Sequence, residues 1–209
     1  MKLTQDNKLY IPDSDNWWWR EGYEQKQFFE ALPYVTNRNT AIDIGAHVGI
    51  WTKRLAKRFT TVYAFEPVPD HIECCRANIE TCTNVILETV ALSNKSGMTK
   101  MKQTRHNSGM SSLEYIPSRL RTSLEIEVST KTLDSFNISN VDFMKIDVEG
   151  HEVAVLNGAK NIIDKYEPVI FIEIHDKERK NPINAHRWLL NKGYKEILAM
   201  SSSNYLFKK

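Results

Sequence analysis

A-I-D-I-G-A-H-V-G at residues 41–49, followed by T-V-Y-A-F-E at residues 61–66, decides the fold. The run 41–46 is short, apolar and closed by a glycine, which suits a strand buried on both faces of a parallel sheet. In V-G-I-W-T-K-R-L-A-K-R-F (48–59), Ile50/Trp51, Leu55 and Phe59 recur at helical spacing. T-V-Y-A-F-E is a second strand. Pro67 and Pro69 then open D-H-I-E-C-C-R-A-N-I-E (70–80), a helix whose first turn tolerates proline. N-V-I-L-E-T-V-A-L (84–92) is a third strand. Strand and helix in alternation predict a doubly wound parallel sheet.

The rhythm resumes downstream. V-D-F-M-K-I-D-V (141–148) predicts a fourth strand, residues 151–164 a helix, and P-V-I-F-I-E-I-H (168–175) a fifth strand. I-N-A-H-R-W-L-L-N-K-G (183–193) predicts a helix ending at Gly193, a residue suited to a left-handed C′ position. Y-K-E-I-L-A-M and S-N-Y-L-F-K-K predict a closing antiparallel hairpin. Residues 93–140 break the alternation and read as an insertion between the third and fourth strands. It carries strands at 98–104 and 124–133 and a turn-rich loop at 106–113 that is either a lid or a solvated loop. Residues 1–38 form a lead-in segment that packs on the domain, with the run Trp17-Trp18-Trp19 and a helix over Gly22–Leu32. The expectation is a single domain over 39–209: an α/β, doubly wound, mostly parallel, seven-stranded Rossmann-like sheet with helices on both faces.

Composition narrows the partners. The chain has 209 residues, 41% hydrophobic and 26% charged, with a net charge of +2. That suits a folded domain and makes nucleic acid an unfavoured partner, because nucleic-acid binders carry a marked basic stripe. Lys53, Arg54, Lys57 and Arg58 read as a solvated helix face. The cysteines, Cys74, Cys75 and Cys82, form no Cys-x-x-Cys pair and are odd in number, so no disulfide framework is expected. No apolar run approaches the roughly 20 residues a membrane helix needs, and the N-terminus lacks a signal-peptide core. The expected setting is the cytoplasm.

In open parallel sheets ligands bind beyond the carboxyl ends of the strands. There the first strand runs into Asp43-Ile44-Gly45-Ala46-His47-Val48-Gly49. Gly45 allows a sharp turn, and Gly49 allows the following helix to approach the sheet. Glu66 stands 17 residues after Gly49, where a carboxylate can accept from both hydroxyls of a ribose. A glycine turn plus a distant acid serves NAD as well as S-adenosylmethionine. The spacing G-x-x-x-G differs from the pyrophosphate-binding G-x-G-x-x-G, and Asp43 can face a cationic methionine end, directly or through water. The chain also lacks room for a separate substrate domain. The methyl donor is therefore preferred over NAD.

The residues A-I-D-I-G-A-H-V-G-I-W (41–51), Y-A-F-E-P-V-P-D-H (63–71), A-L-S (91–93), T-L-D-S-F (132–136), M-K-I-D-V-E-G-H-E-V-A-V-L-N-G-A (144–159) and E-P-V-I-F-I-E-I-H (167–175) resemble the FkbM family of class I, Rossmann-like methyltransferases. The K-I-D-V-E-G-x-E block is the most specific of them. The resemblance implies donor contacts from Asp43, Gly45, Ala46, His47, Gly49 and Glu66, and Pro67 and Asp147 are also expected to contact the donor. His47 stands where the wider class has glycine, and its side chain either covers the methionine portion or turns away. By position, Val90, Ala91 and Leu92 lie near the adenine ring. The resemblance further implies a hydroxylated acceptor such as a carbohydrate.

An alcohol acceptor needs a base or a metal to remove its proton. The ends of the fourth and fifth strands carry Lys145, Asp147, Glu149 and His151, then Glu173 and His175. Alternation along an extended chain points Asp147 with Glu149, and Glu173 with His175. Metal-independent base catalysis is preferred, with His175, His151 or Glu149 as the base. The alternative is a divalent cation held by Asp147, Glu149, Glu173 and His175. Lys145 either pairs with a carboxylate or acts in the site. Glu152 is read as a helix N-terminal residue, and His71, His106 and His186 as surface or structural. The strand end I-D-V-E-G lacks the Pro-Pro-aromatic signature of exocyclic-amine methylation, which disfavours a nucleic-acid substrate.

Overall fold

The computed structural model describes residues 1–4, 8–15, 22–104, 109, 111–113, 123–174 and 184–209. His175, Trp17–Trp19, His106 and residues 107, 108 and 110 of the 106–113 loop lie outside the described residues. The elements in chain order are β1 (Lys2–Leu3), β2 (Tyr10–Ile11), α1 (Gln25–Ala31), β3 (Thr40–Ile44), α2 (Ile50–Ala56), β4 (Thr61–Phe65), α3 (Pro69–Asn78), β5 (Val85–Glu88), β6 (Ala91–Leu92), β7 (Gly97–Thr104), β8 (Ser123–Lys131), β9 (Val141–Ile146), α4 (Glu152–Gly158), α5 (Lys160–Tyr166), β10 (Val169–Glu173), α6 (Ala185–Asn191), β11 (Lys195–Ala199) and β12 (Asn204–Lys208).

The main sheet runs β11-β12-β10-β9-β3-β4-β5. Strands β10, β9, β3, β4 and β5 are parallel, and β12 joins β10 antiparallel, followed by β11. Side chains alternate across it with a period of two. Ile42, Ile44, Met144, Ile146, Ile170 and Ile172 pack with Val155, Leu156, Ile162, Ile163 and Leu189 of α4, α5 and α6. Ala41, Phe143, Val169 and Phe171 pack on the opposite face with Phe28 of α1 and Trp51 and Leu55 of α2. Helices thus cover both faces, and the central strands are buried while the β5 and β11 edges are partly exposed. Between β5 and β9 in the chain, β6, β8 and β7 form a separate three-stranded sheet.

Three expectations need correction. The third strand does not run from 84 to 92. Val85–Glu88 pairs with Val62–Phe65 only as far as β4 extends, and Ala91–Leu92 pairs instead with Thr130–Lys131. The helix expected over 151–164 is two, because Ala159 (φ −111°, ψ 8°) leaves the helical region. A Cβ on the preceding Gly158 would lie 2.0 Å from the Ser93 carbonyl oxygen, so α4 ends jammed against the chain after β6. The lead-in helix begins at Gln25, not Gly22, and passes into a 3-10 turn over Leu32–Tyr34 that includes Pro33.

Candidate active site

The carboxyl ends of β3, β4, β9 and β10 open on one cavity. Its wall includes Gly45, Ala46, His47, Glu66, Pro67, Val90, Ala91, Leu92, Asp147, Glu149, His151 and Glu173. Most of the residues singled out from sequence therefore meet in space.

One rim is backbone. Gly45 turns with φ +75°, and a Cβ there would sit 1.8 Å from the Asp147 carbonyl oxygen, so no other residue fits. The N–H groups of Gly45 and Ala46 both donate to the Phe65 carbonyl, each at 3.0 Å, which ties the turn to the end of β4. Glu66 is held in turn: His47 N–H donates to Oε2 (2.8 Å), and Val68 N–H donates to Oε1 (3.0 Å). His71 Nδ1 lies 3.1 Å from the same Oε1. His47 takes a left-handed backbone (φ 52°), and its ring is on the cavity wall, edge-to-face on His71 at 4.4 Å. Burial, then the neighbouring His71 and Lys145, lowers its pKa well below 6.5 and keeps the ring neutral at pH 7.

Two residues expected to contact the methyl donor, Asp43 and Gly49, are not on this wall. Asp43 is fully buried and does not line the cavity. Its Oδ2 accepts from Thr52 Oγ1 (2.6 Å), and its Oδ1 lies 3.6 Å from Lys145 Nζ. β3 and β9 place Asp43 opposite Lys145, so the carboxylate faces its sheet partner. Gly49 is also off the wall. Its added Cβ would be 2.8 Å from Cys75 Sγ, so this glycine admits α3, not the helix that follows it.

Lys145 joins the two rims. Its buried Nζ donates to the Gly45 carbonyl (2.8 Å) and lies 3.3 Å from Asp147 Oδ2. Burial opposes the ammonium, but Asp147, Asp43 and Glu24 outweigh it and raise its pKa, so the charge is permanent. Burial raises the pKa of Asp43 despite that neighbour.

The second rim is made of carboxylates. Asp147, Glu149 and Glu173 offer oxygens within 4.8 Å of one another. Glu149 has φ +52° and Gly150 φ +101°, a tight left-handed pair that ends the strand extension. A non-glycine residue held there stores strain of a kind common at functional sites. The Glu149 carbonyl accepts from Ser112 Oγ (2.6 Å) of the 93–140 segment, and Glu173 Oε1 accepts from Ser203 Oγ (2.9 Å). His151 Nε2 lies 2.9 Å from Ser93 Oγ. Glu152 heads α4, fully buried, with Oε1 accepting from Gly150 N–H (2.9 Å).

Sequence reasoning missed Tyr23 and Glu24, which the lead-in segment adds to this wall. Glu24 accepts from Trp51 Nε1 (2.8 Å) and Asn204 Nδ2 (2.9 Å) and, at φ 51°, precedes α1 in the left-handed region. Burial, then Asp147, raises its pKa. Burial, reinforced by Glu24, Asp147, Glu173 and Glu149, likewise raises that of Tyr23, which stays a phenol and a donor. No local motif marks either residue. His71, read as surface or structural, is buried on the wall. Its place five residues after Glu66, in the first turn of α3, was the available signal.

This sheet, with a glycine turn after its first parallel strand, defines a class I methyltransferase-like fold. The Methyltransferase FkbM domain model matches residues 43–196, and the chain belongs to that family. An FkbM methyltransferase from Methylobacillus flagellatus KT superposes with TM-score 0.59 at 13% identity, over 82% of this chain and 44% of that one. The chain thus spans less than half the length of that relative. A precorrin 8W decarboxylase from Methanobacterium thermoautotrophicum superposes with TM-score 0.57 at 16% identity over 100% of both chains. A Streptococcus mutans chain described as a candidate methyltransferase, in complex with SAH, superposes with TM-score 0.51 at 15% identity, over 88% of this chain and 94% of that one. No curated protein matches the chain in sequence. Among the described residues, no helix is long and apolar enough to cross a membrane.

Proposed function

We propose that this chain is an S-adenosylmethionine-dependent O-methyltransferase acting on a hydroxyl of a carbohydrate or another small hydroxylated metabolite. One observation carries the reading: a single cavity has a glycine-turn rim with Glu66 at one side and Asp147, Glu149, His151 and Glu173 at the other. The residues present fit the donor. Glu66 Oε2 has an acceptor position to spare, and Val90, Ala91 and Leu92 give apolar faces for an adenine. When bound, S-adenosylmethionine supplies an electrophilic methyl carbon. The chain's own part is to orient the acceptor, exclude water and take a proton from the hydroxyl. Glu149, which sits on a left-handed turn and offers an oxygen within 4.8 Å of those of Asp147 and Glu173, is the preferred base. His151, whose Nε2 lies 2.9 Å from Ser93 Oγ, lines the same cavity, and His175 follows Glu173 in the chain. A small acceptor also fits the charge of this rim, which repels a polyanion such as nucleic acid.

A second reading has its own support. The close approach of Asp147, Glu149 and Glu173 oxygens suits a hard divalent cation. Chelation with EDTA that abolishes turnover, restored by Mg²⁺ or Mn²⁺, decides for the metal. Unchanged turnover decides for the carboxylate base.

Calorimetric titration with S-adenosylhomocysteine and with NAD tests the donor. Micromolar binding of the first and none of the second is expected, and the reverse result overturns the reading. A screen of sugars and glycans for S-adenosylhomocysteine release then finds the acceptor.

A further inference from the structure

Five basic side chains outside the cavity share one groove. Lys8 of the lead-in segment lines it, with Lys53, Arg54, Lys57 and Arg58 of α2 and the turn after it. Residues 53, 54, 57 and 58 recur one turn apart, which puts them on one face. Lys53 and Arg54 are half-buried, which strengthens their attraction for an anion, and Lys8, Lys57 and Arg58 are exposed. Leu9, Phe28 and Ile50, all buried, give the groove apolar walls. Among the described residues no acidic side chain lines it. The groove adjoins the cavity. Ile50 lines both, and Gly22 and Gln25 of the groove flank Tyr23 and Glu24 of the cavity wall. Leu9 and Ile50 also pack in one cluster with Tyr23. The two spaces are opposite in charge: the cavity sets Glu24, Asp147, Glu149 and Glu173 against the ammonium of Lys145.

We infer that the groove is a phosphate subsite of the acceptor site: the acceptor is a sugar bearing a diphosphate, whose hydroxyl enters the cavity and whose phosphates lie along Lys8, Lys53, Arg54, Lys57 and Arg58. The inference rests on the O-methyltransferase reading of the cavity and narrows its substrate class. Magnitude selects the anion. A carboxylate offsets one of these charges, whereas a terminal phosphate carries about two at pH 7. The lysines act as point charges, and the Arg54 and Arg58 guanidinium groups offer forks that match phosphate oxygens. The carboxylates of the cavity repel the phosphates, so charge alone sets which end of the acceptor meets the methyl donor. Walls drawn from the lead-in segment, α1 and α2 make the groove concave, which suits a small ligand better than a bilayer or a nucleic acid.

The probe is inorganic pyrophosphate, titrated calorimetrically into the full chain at low salt. A Kd below about 1 mM is expected, weakened about tenfold in the double variant Lys53→Gln/Lys57→Gln and again at high salt. The double variant should keep the wild-type melting temperature and S-adenosylhomocysteine affinity, because both lysines lie outside the cavity. Wild type that binds pyrophosphate no better than the variant overturns the subsite. Binding of phosphatidylglycerol vesicles or of an RNA oligonucleotide that excess pyrophosphate fails to displace also overturns it, and makes the groove a macromolecular surface. Pyrophosphate binding with no S-adenosylhomocysteine binding overturns the donor reading and the assignment to an acceptor, while the phosphate site itself stands. For a sugar found in the acceptor screen, the diphosphate-linked form should exceed the free sugar in kcat/KM by about tenfold or more, and the double variant should erase that advantage. Equal values for the two forms overturn the link between groove and cavity.

Discussion

The two rims of the cavity are built by different means. The rim proposed for the donor comes from residues 44–71, a strand, a turn, a strand and the start of a helix. Its fixed points are backbone: Gly45 and Ala46 N–H on Phe65 O, and His47 and Val68 N–H on Glu66. The rim proposed for the acceptor gathers Glu24, Asp147, Glu149, His151 and Glu173 from the lead-in segment and two distant strand ends. Backbone can hold a ligand common to many enzymes, because its groups do not change with sequence. Side chains on separate segments can vary independently, so the acceptor is the part free to differ. The Methanobacterium thermoautotrophicum decarboxylase, sharing the fold at full length, illustrates that the fold does not fix the reaction.

If the rims are separate in this sense, damage to one should leave the other measurable, except where they touch. Gly45→Ala strikes that contact, where a Cβ meets the Asp147 carbonyl at 1.8 Å. Because backbone must move, we expect S-adenosylhomocysteine binding and turnover to vanish together and the melting temperature to fall by roughly 10 °C or more. Glu149→Gln should split the rims most cleanly. Turnover on an identified acceptor is expected to fall by about 10²- to 10⁴-fold while the S-adenosylhomocysteine Kd stays within about twofold. A matching loss of affinity would merge the two rims into one. Glu66→Gln reverses the pattern. Both Glu66 oxygens receive N–H donors, so an amide must set N–H against N–H, and the Kd should rise about ten- to a hundredfold.

The smallest effect is a pH dependence confined to the donor rim. His47 has a folded pKa well below its ordinary 6.5, so the unfolded chain binds more protons than the native one just below that pH. Its contribution to stability is present above pH 6.5 and is lost on acidification through that value toward the folded pKa. Glu24 and Asp43, with raised pKa values, act with the opposite sign. The readout is therefore a difference. Wild type should lose a few degrees of melting temperature between pH 7 and pH 5.5 relative to His47→Asn, a residue that tolerates the left-handed backbone. Parallel melting curves would remove His47 from the account.

Much of the donor rim was legible along the chain. Apolar runs ending in glycine, helical spacing at Ile50, Leu55 and Phe59, and the acid at Glu66 mark a local arrangement. Three of the positions that came out differently depend on a partner far away in sequence. Asp43 was expected toward a ligand and instead faces Lys145, because strand pairing puts residues 43 and 145 opposite each other. Gly49 was read through its own helix, but α3 is what closes on it. The helix at 151–164 breaks where Gly158 meets Ser93.

Periodicity and turn chemistry are short-range properties, so residues 41–66 and 141–175 were enough to specify alternating strands and helices and a nucleoside-type turn. Which carboxylates share a cavity is a long-range matter, settled only when β3, β9 and β10 lie side by side and the lead-in segment packs over them. Glu24 is 123 positions from Asp147 in the chain yet raises the same Lys145 pKa, because burial in a common low-dielectric site makes their charges neighbours. No pattern within either segment carries that information; the packing of the sheet supplies it.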